Sequence, residues 1–128
     1  MPDKLLLISI RPEYADKIFD GTKKVELRKV YPRQLEEKAW VLVYVSSPVK
    51  AVIGAFQVER VIEATTHCLW RTVREDAGIT HLQFKSYYEG ASVGYGIVLN
   101  KAMKFNRPVE LSTLKELWDG FHPPQCFR

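Results

Sequence analysis

The run Trp40-Val41-Leu42-Val43-Tyr44-Val45 is apolar at every position. A strand of this kind is apolar on both faces, so the hydrophobic core runs through it and other layers must cover it. Ser46-Ser47-Pro48 supplies the turn residues that end it. Leu5 to Ile10 is a second continuous apolar run, broken at Arg11-Pro12. Both runs are far too short to cross a bilayer, and Asp3-Lys4 does not resemble a secretory leader, so a cytoplasmic protein without membrane contact is expected.

The pattern between and after these strands predicts a mixed order. A helix opens at Pro12, with Glu13 near its positive end and Ala15, Ile18 and Phe19 on one face, and Gly21 suits its left-handed termination. Lys24 to Arg28 alternates, placing Val25 and Leu27 on one side and Lys24, Glu26 and Arg28 on the other. A longer strand runs from Ala51 to about Glu63, with Gly54 as a bend or bulge. Thr65 or Thr66 caps a helix through Ala77, ended by Gly78, and a short helix from Thr80 to Tyr88 ends at Gly90.

Alternation returns from Ser92 to Leu99, where Gly94 and Gly96 leave one face without bulk. Met103 to Val109 reads as a last strand, and Ser112 caps a short helix holding Leu114, Leu117 and Trp118. Strand, helix, several strands, helices, strands and a terminal helix favour an α+β curled β-barrel over a doubly wound parallel sheet. At 128 residues the chain has room for one domain, expected to span residues 1–128.

Charge is distributed unevenly. Lys23, Lys24, Arg28, Lys29 and Arg33, opposed only by Glu26, give residues 23–33 a charge of +4, which equals the net charge of the whole chain. One reading is a solvated strand edge protected from pairing with another chain. The other is a basic pocket for a polyanion, with Tyr14, Tyr31 and Tyr95 as stacking surfaces near Lys24 and Arg28. Trp40, Phe56 and Trp118 sit in apolar patterns and are expected inside. His81 and His122 are isolated. Cys68 and Cys126 form no CxxC pair, so reduced thiols and no metal or other cofactor are expected. There is no GxSxG, P-loop or HExxH motif.

Leu7-Ile8-Ser9-Ile10-Arg11-Pro12-Glu13-Tyr14, followed by Gly21-Thr22-Lys23-Lys24-Val25-Glu26-Leu27-Arg28, resembles the signature of the ASCH family, a branch of the PUA-like barrels with a GxKxxxxR element after the first helix. Tyr87-Tyr88-Glu89-Gly90 and Gly94-Tyr95-Gly96-Ile97 are similar to that family's aromatic-glycine turn. The resemblance implies a PUA-like fold and RNA or nucleobase binding. Some family members are amidohydrolases that deacetylate N4-acetylcytidine, and ribonuclease activity is also ascribed to the family.

On that resemblance Lys23 takes the place of the activated lysine. Glu26 stands where the amidohydrolases carry threonine. Glu75 falls near their glutamate if a gap of about two residues is allowed. The expected binding residues are Arg11, Lys23, Lys24, Arg28, Lys29, Tyr88, Gly94 and Tyr95, and the expected catalytic ones Lys23, Glu26 and Glu75. Tyr88, rather than Tyr87, is expected to face the pocket. A module that binds RNA or a modified nucleobase is the first functional expectation. An enzyme using Lys23 with a carboxylate, either a nucleoside amidohydrolase or a ribonuclease, is the second, and a protein-interaction module the third. A lysine turns over protons near neutral pH only if burial or nearby cations lower its pKa. Lys24, Arg28 and Lys29 push in that direction, whereas Glu26 pulls against them.

Overall fold

The computed structural model describes residues 6–30 and 36–117. Nine elements follow in chain order: β1 (Leu6–Ile10), α1 (Pro12–Phe19), β2 (Val25–Arg28), β3 (Trp40–Val45), β4 (Ala51–Thr65), α2 (Thr66–Val73), α3 (His81–Tyr87), β5 (Val93–Glu110) and α4 (Leu111–Leu117). The strands form one sheet in the order β1-β3-β4-β5-β2. β1 pairs parallel to β3, and the other neighbours are antiparallel.

This is the expected α+β arrangement, with a helix after the first strand and two short helices before the late one. The curl stops short of a closed barrel, because β1 and β2 are both edges of the sheet. One side chain crosses that seam, Arg28 Nη2 donating to the Ser9 carbonyl at 2.9 Å.

Apolar patterning explains the layers. Ile8, Ile10, Val41, Val43, Phe56, Val58 and Ile97 pack beneath Ala15 and Ile18 of α1 in the main core. Phe56 is fully enclosed there, a position where truncation to alanine costs about 3–5 kcal/mol. Val25 and Leu27 of β2 join Leu69, Val73, Ala77, Phe84 and Tyr88 in a second core under α2 and α3. Leu7, Tyr44 and Val52 hold a third on the other face. Trp40 is half-buried rather than enclosed, and Trp118 lies outside the described residues, as do Tyr31, Arg33, His122 and Cys126.

Several local expectations shift. The strands expected at Ser92–Leu99 and Met103–Val109 are one element, because β4 stays paired with β5 along its length through three changes of register, and Lys101 adopts φ 51° without ending the strand. Gly54 sits at one of these shifts, where a Cβ would strike the Met103 carbonyl and the Phe19 ring. α2 ends at Val73, short of Ala77. The residues that follow turn instead, so that the Asp76 carbonyl accepts the backbone N–H groups of Lys24 and Val25. α4 begins at Leu111, which puts Ser112 inside its first turn.

Candidate functional site

The seam between the two sheet edges opens into a cleft of about 1030 Å³. Ser9, Ile10, Arg11 and Tyr14 line it from β1 and α1, Lys23 to Val30 (save Lys24 and Val25) from β2, and Ile79, Leu82, Gln83, Ser86 and Tyr87 from α3 and its entry. β2 is short and sandwiched by the second core, so all four of its residues are buried. The alternation therefore does not leave Glu26 and Arg28 in solvent. It turns them into the floor of the cleft.

Lys23, Glu26 and Arg28 are exposed by only 3%, 6% and 9%. Arg28 Nη2 approaches Glu26 Oε2 at 2.7 Å, and Lys23 Nζ lies 3.6 Å from Glu26 Oε1. Two cations share one carboxylate, which leaves the floor with a charge of +1. Lys23 Nζ also donates to the Ala77 carbonyl and sits 5.4 Å from the centre of the Tyr14 ring. The Gly78 carbonyl accepts from Lys17 Nζ at 2.7 Å. The turn after α2 thus clamps the lysine segment through three successive carbonyls, those of Asp76, Ala77 and Gly78. Gly78 has φ +66°, and a Cβ there would lie 3.0 Å from Lys23 Cβ.

Burial lowers the Lys23 pKa from the usual lysine value, chiefly because the ammonium loses water. Glu26 opposes the shift, Lys17 and Arg28 add to it, and the downward direction prevails. The expected contest between neighbouring cations and Glu26 is therefore decided by a third factor, desolvation, which a sequence does not display.

The other expected residues divide. Arg11 and Lys29 are exposed and line the cleft. Lys24 is exposed but does not line it, and Glu75 is exposed on the turn after α2 and also lies off the cleft. Tyr95 pairs with Arg28 across the β2–β5 ladder, behind the floor.

The pocket-facing tyrosine is Tyr87 and not Tyr88, because Tyr88 follows the buried Phe84 by one helical turn and is drawn into the second core with it, ring centres 4.6 Å apart. Tyr88 Oη donates to the Arg28 carbonyl at 3.0 Å, and burial pushes the phenol pKa above the tyrosine range. The space beside Gly94 is taken by that ring and by Leu69, so it does not admit a base.

Tyr87, Leu82, Gln83 and Ser86 escape a reading of the sequence as site residues. Their only signal is a helical face of mixed polarity, which ordinarily means solvent. Among the described residues there is no group of three or more His, Cys, Asp or Glu side chains arranged to hold a metal ion. No helix among them is long and apolar enough to cross a membrane.

Residues 8–122 match the family model of the ASCH domain. The chain is 34% identical over 127 residues to an ASCH domain-containing ribonuclease of Zymomonas mobilis, covering 98% of this chain and 84% of that protein. The crystal structure of ASCH from Zymomonas mobilis superposes with a TM-score of 0.92 at 32% identity, covering 98% of this chain and 86% of that one. The large ribosomal subunit protein uL22 of Ureaplasma parvum is 34% identical over 108 residues, which is 84% of this chain but 34% of that protein.

Proposed function

Since the chain belongs to the ASCH domain family, we propose that its seam cleft binds RNA and cleaves it, with Lys23, Glu26 and Arg28 as the working groups. The observation that carries this reading is the buried cation–carboxylate–cation floor opening onto a cleft. Arg11 and Lys29 at the rim add positive charge, which draws a phosphate backbone inward. Similarity to a protein named a ribonuclease lifts the enzymatic reading over the pure binding module.

RNA carries its own nucleophile, the 2′-hydroxyl. In the proposed reaction the scissile phosphate docks against Arg28 and Lys23 and takes up part of the guanidinium's charge, which loosens the hold of Arg28 on Glu26. Glu26 accepts the proton of the 2′-hydroxyl, and the 2′-oxygen bonds to phosphorus. The bond from phosphorus to the 5′-oxygen breaks, and that oxygen leaves with the electron pair and takes a proton from the Lys23 ammonium. The products are a 2′,3′-cyclic phosphate and a 5′-hydroxyl. A lysine whose pKa is lowered by burial gives up its proton more readily than an exposed one. Arg28 stabilises the charge that builds on the phosphoryl oxygens.

End-labelled RNA incubated with purified protein tests the reading. Fragments ending in a cyclic phosphate are expected, and Lys23→Met is expected to abolish them while the protein stays folded. Acetate released from N4-acetylcytidine, with RNA left intact, would replace it by the amidohydrolase alternative. RNA neither bound nor cut would refute it.

A further inference from the structure

Large apolar side chains remain exposed where the cleft meets solvent: Leu82 by 78%, Val30 by 67% and Tyr87 by 39%. Folding alone gives no reason for three such residues to gather around one charged hollow, and apolar surface collected in a concave site marks a place where a ligand is covered. The helix geometry accounts for the wall. Leu82, Gln83, Ser86 and Tyr87 recur at three- and four-residue intervals on one face of α3, while Phe84 and Tyr88 anchor the other face in the second core.

The wall is held in place. Thr80 and Gln83 form a reciprocal capping box at the start of α3, with bonds of 2.9 and 3.1 Å. Tyr87 stands edge-on to Tyr88 at 4.8 Å, and Lys29 Nζ lies 5.1 Å from the centre of the Tyr87 ring. Arg28 in the floor and Lys29 against the wall are consecutive residues, so phosphate-binding and apolar surfaces adjoin within a single step of the chain.

We propose that this wall is a subsite for an unpaired nucleobase next to the phosphate on the charged floor, so that the cleft selects single-stranded RNA. The inference rests on the RNA reading above and adds what that reading leaves open, the state of the substrate. A duplex keeps its base faces stacked within the helix and offers the wall only backbone, whereas a single strand can lay an unstacked base face against it. The base lies against Leu82 and Tyr87, with Val30 closing the opposite side of the mouth and Lys29 near the sugar-phosphate.

The test uses one labelled oligoribonucleotide, alone and annealed to its complement, with wild-type protein, Leu82→Ala and Tyr87→Ala. Binding is followed by fluorescence anisotropy and cleavage by product analysis. Wild type is expected to bind and cut the single strand at least about tenfold better than the duplex, and each variant to raise Kd and KM for the single strand about tenfold, the lower part of the range for loss of one base stack. The kcat of each variant is expected to stay within about twofold. Leu82 is so exposed that its replacement leaves the cores untouched, which guards against misfolding of the Tyr87 variant as the explanation.

If the single strand binds in this wall-dependent way but is not cut, the cleavage mechanism falls and the base subsite stands. Equal handling of single strand and duplex, or variants that bind both as wild type does, would overturn the subsite even if cleavage is observed. That outcome would leave the apolar wall to a protein partner or to no ligand.

Discussion

Replacing Glu26 by glutamine keeps the shape of the side chain and one acceptor oxygen but removes the only carboxylate from the cleft floor. Lys23 at 3.6 Å and Arg28 at 2.7 Å then lose their shared counter-ion while remaining buried. A unit pair near 4 Å is worth about 4 kcal/mol at an effective dielectric constant of about 20. Lost hydration offsets much of that attraction, yet removing one partner of a buried pair costs about 3–5 kcal/mol, because the remaining charge is left uncompensated. Against a domain stability of about 5–15 kcal/mol this is a large loss. At about 4 °C per kcal/mol, the melting temperature should fall by at least about 10 °C.

Urea unfolding of wild type and Glu26→Gln at neutral pH, followed by circular dichroism and extrapolated linearly, measures the difference. The combined replacement Lys23→Met, Glu26→Leu and Arg28→Met removes all three charges. It is expected to restore wild-type stability or exceed it by about 1–4 kcal/mol, while RNA binding stays lost. A Glu26→Gln cost below about 1 kcal/mol would refute the reasoning, since it would mean that water already solvates the two cations.

Other outcomes follow from the same geometry. Lys23 binds its proton less tightly in the folded state than in the unfolded one, so unfolding takes up protons in the window between its lowered pKa and the ordinary value of 10.5, and folded stability rises with pH there. Wild type should therefore gain stability relative to Lys23→Met as pH climbs toward 10.5, which paired urea titrations across that range would show. Gly78→Ala forces a left-handed alanine, with its Cβ 3.0 Å from that of Lys23. It should cost about 1–2 kcal/mol in unfolding experiments and lower kcat more than it raises KM. Gly94→Ala would bring a Cβ to 2.6 Å from the Tyr88 ring and 2.8 Å from Leu69. Its expected cost is about 1–3 kcal/mol by thermal unfolding.

The elements were legible where one physical signal dominates. The apolar run at Trp40–Val45 is β3 residue for residue, and Pro12 and Gly21 bracket α1 because each has a backbone preference that acts locally. β5 was read as two strands because Lys101 and its polar neighbours look like a turn, whereas pairing with β4 carries the strand through them. At the site, the clustering of Lys23, Glu26 and Arg28 was visible, but their burial was not. It depends on α2 and α3 covering β2 from a distance of some fifty residues in sequence. The choice between Tyr87 and Tyr88 turned on which one shares a face with Phe84, a matter of helix phase that the aromatic-glycine resemblance does not carry. Glu75 was placed near the site by that resemblance alone, and the early end of α2 leaves it in solvent.

A crystal structure of the protein with a short RNA whose 2′-hydroxyls are methylated, so that it binds without being cut, tests the central claim most directly. The account predicts a phosphate within hydrogen-bond distance of Lys23 and Arg28 in the seam cleft, and an unstacked base against Leu82 and Tyr87. RNA seated elsewhere on the surface, with the cleft floor still holding only its own Lys23–Glu26–Arg28 contacts, would contradict it.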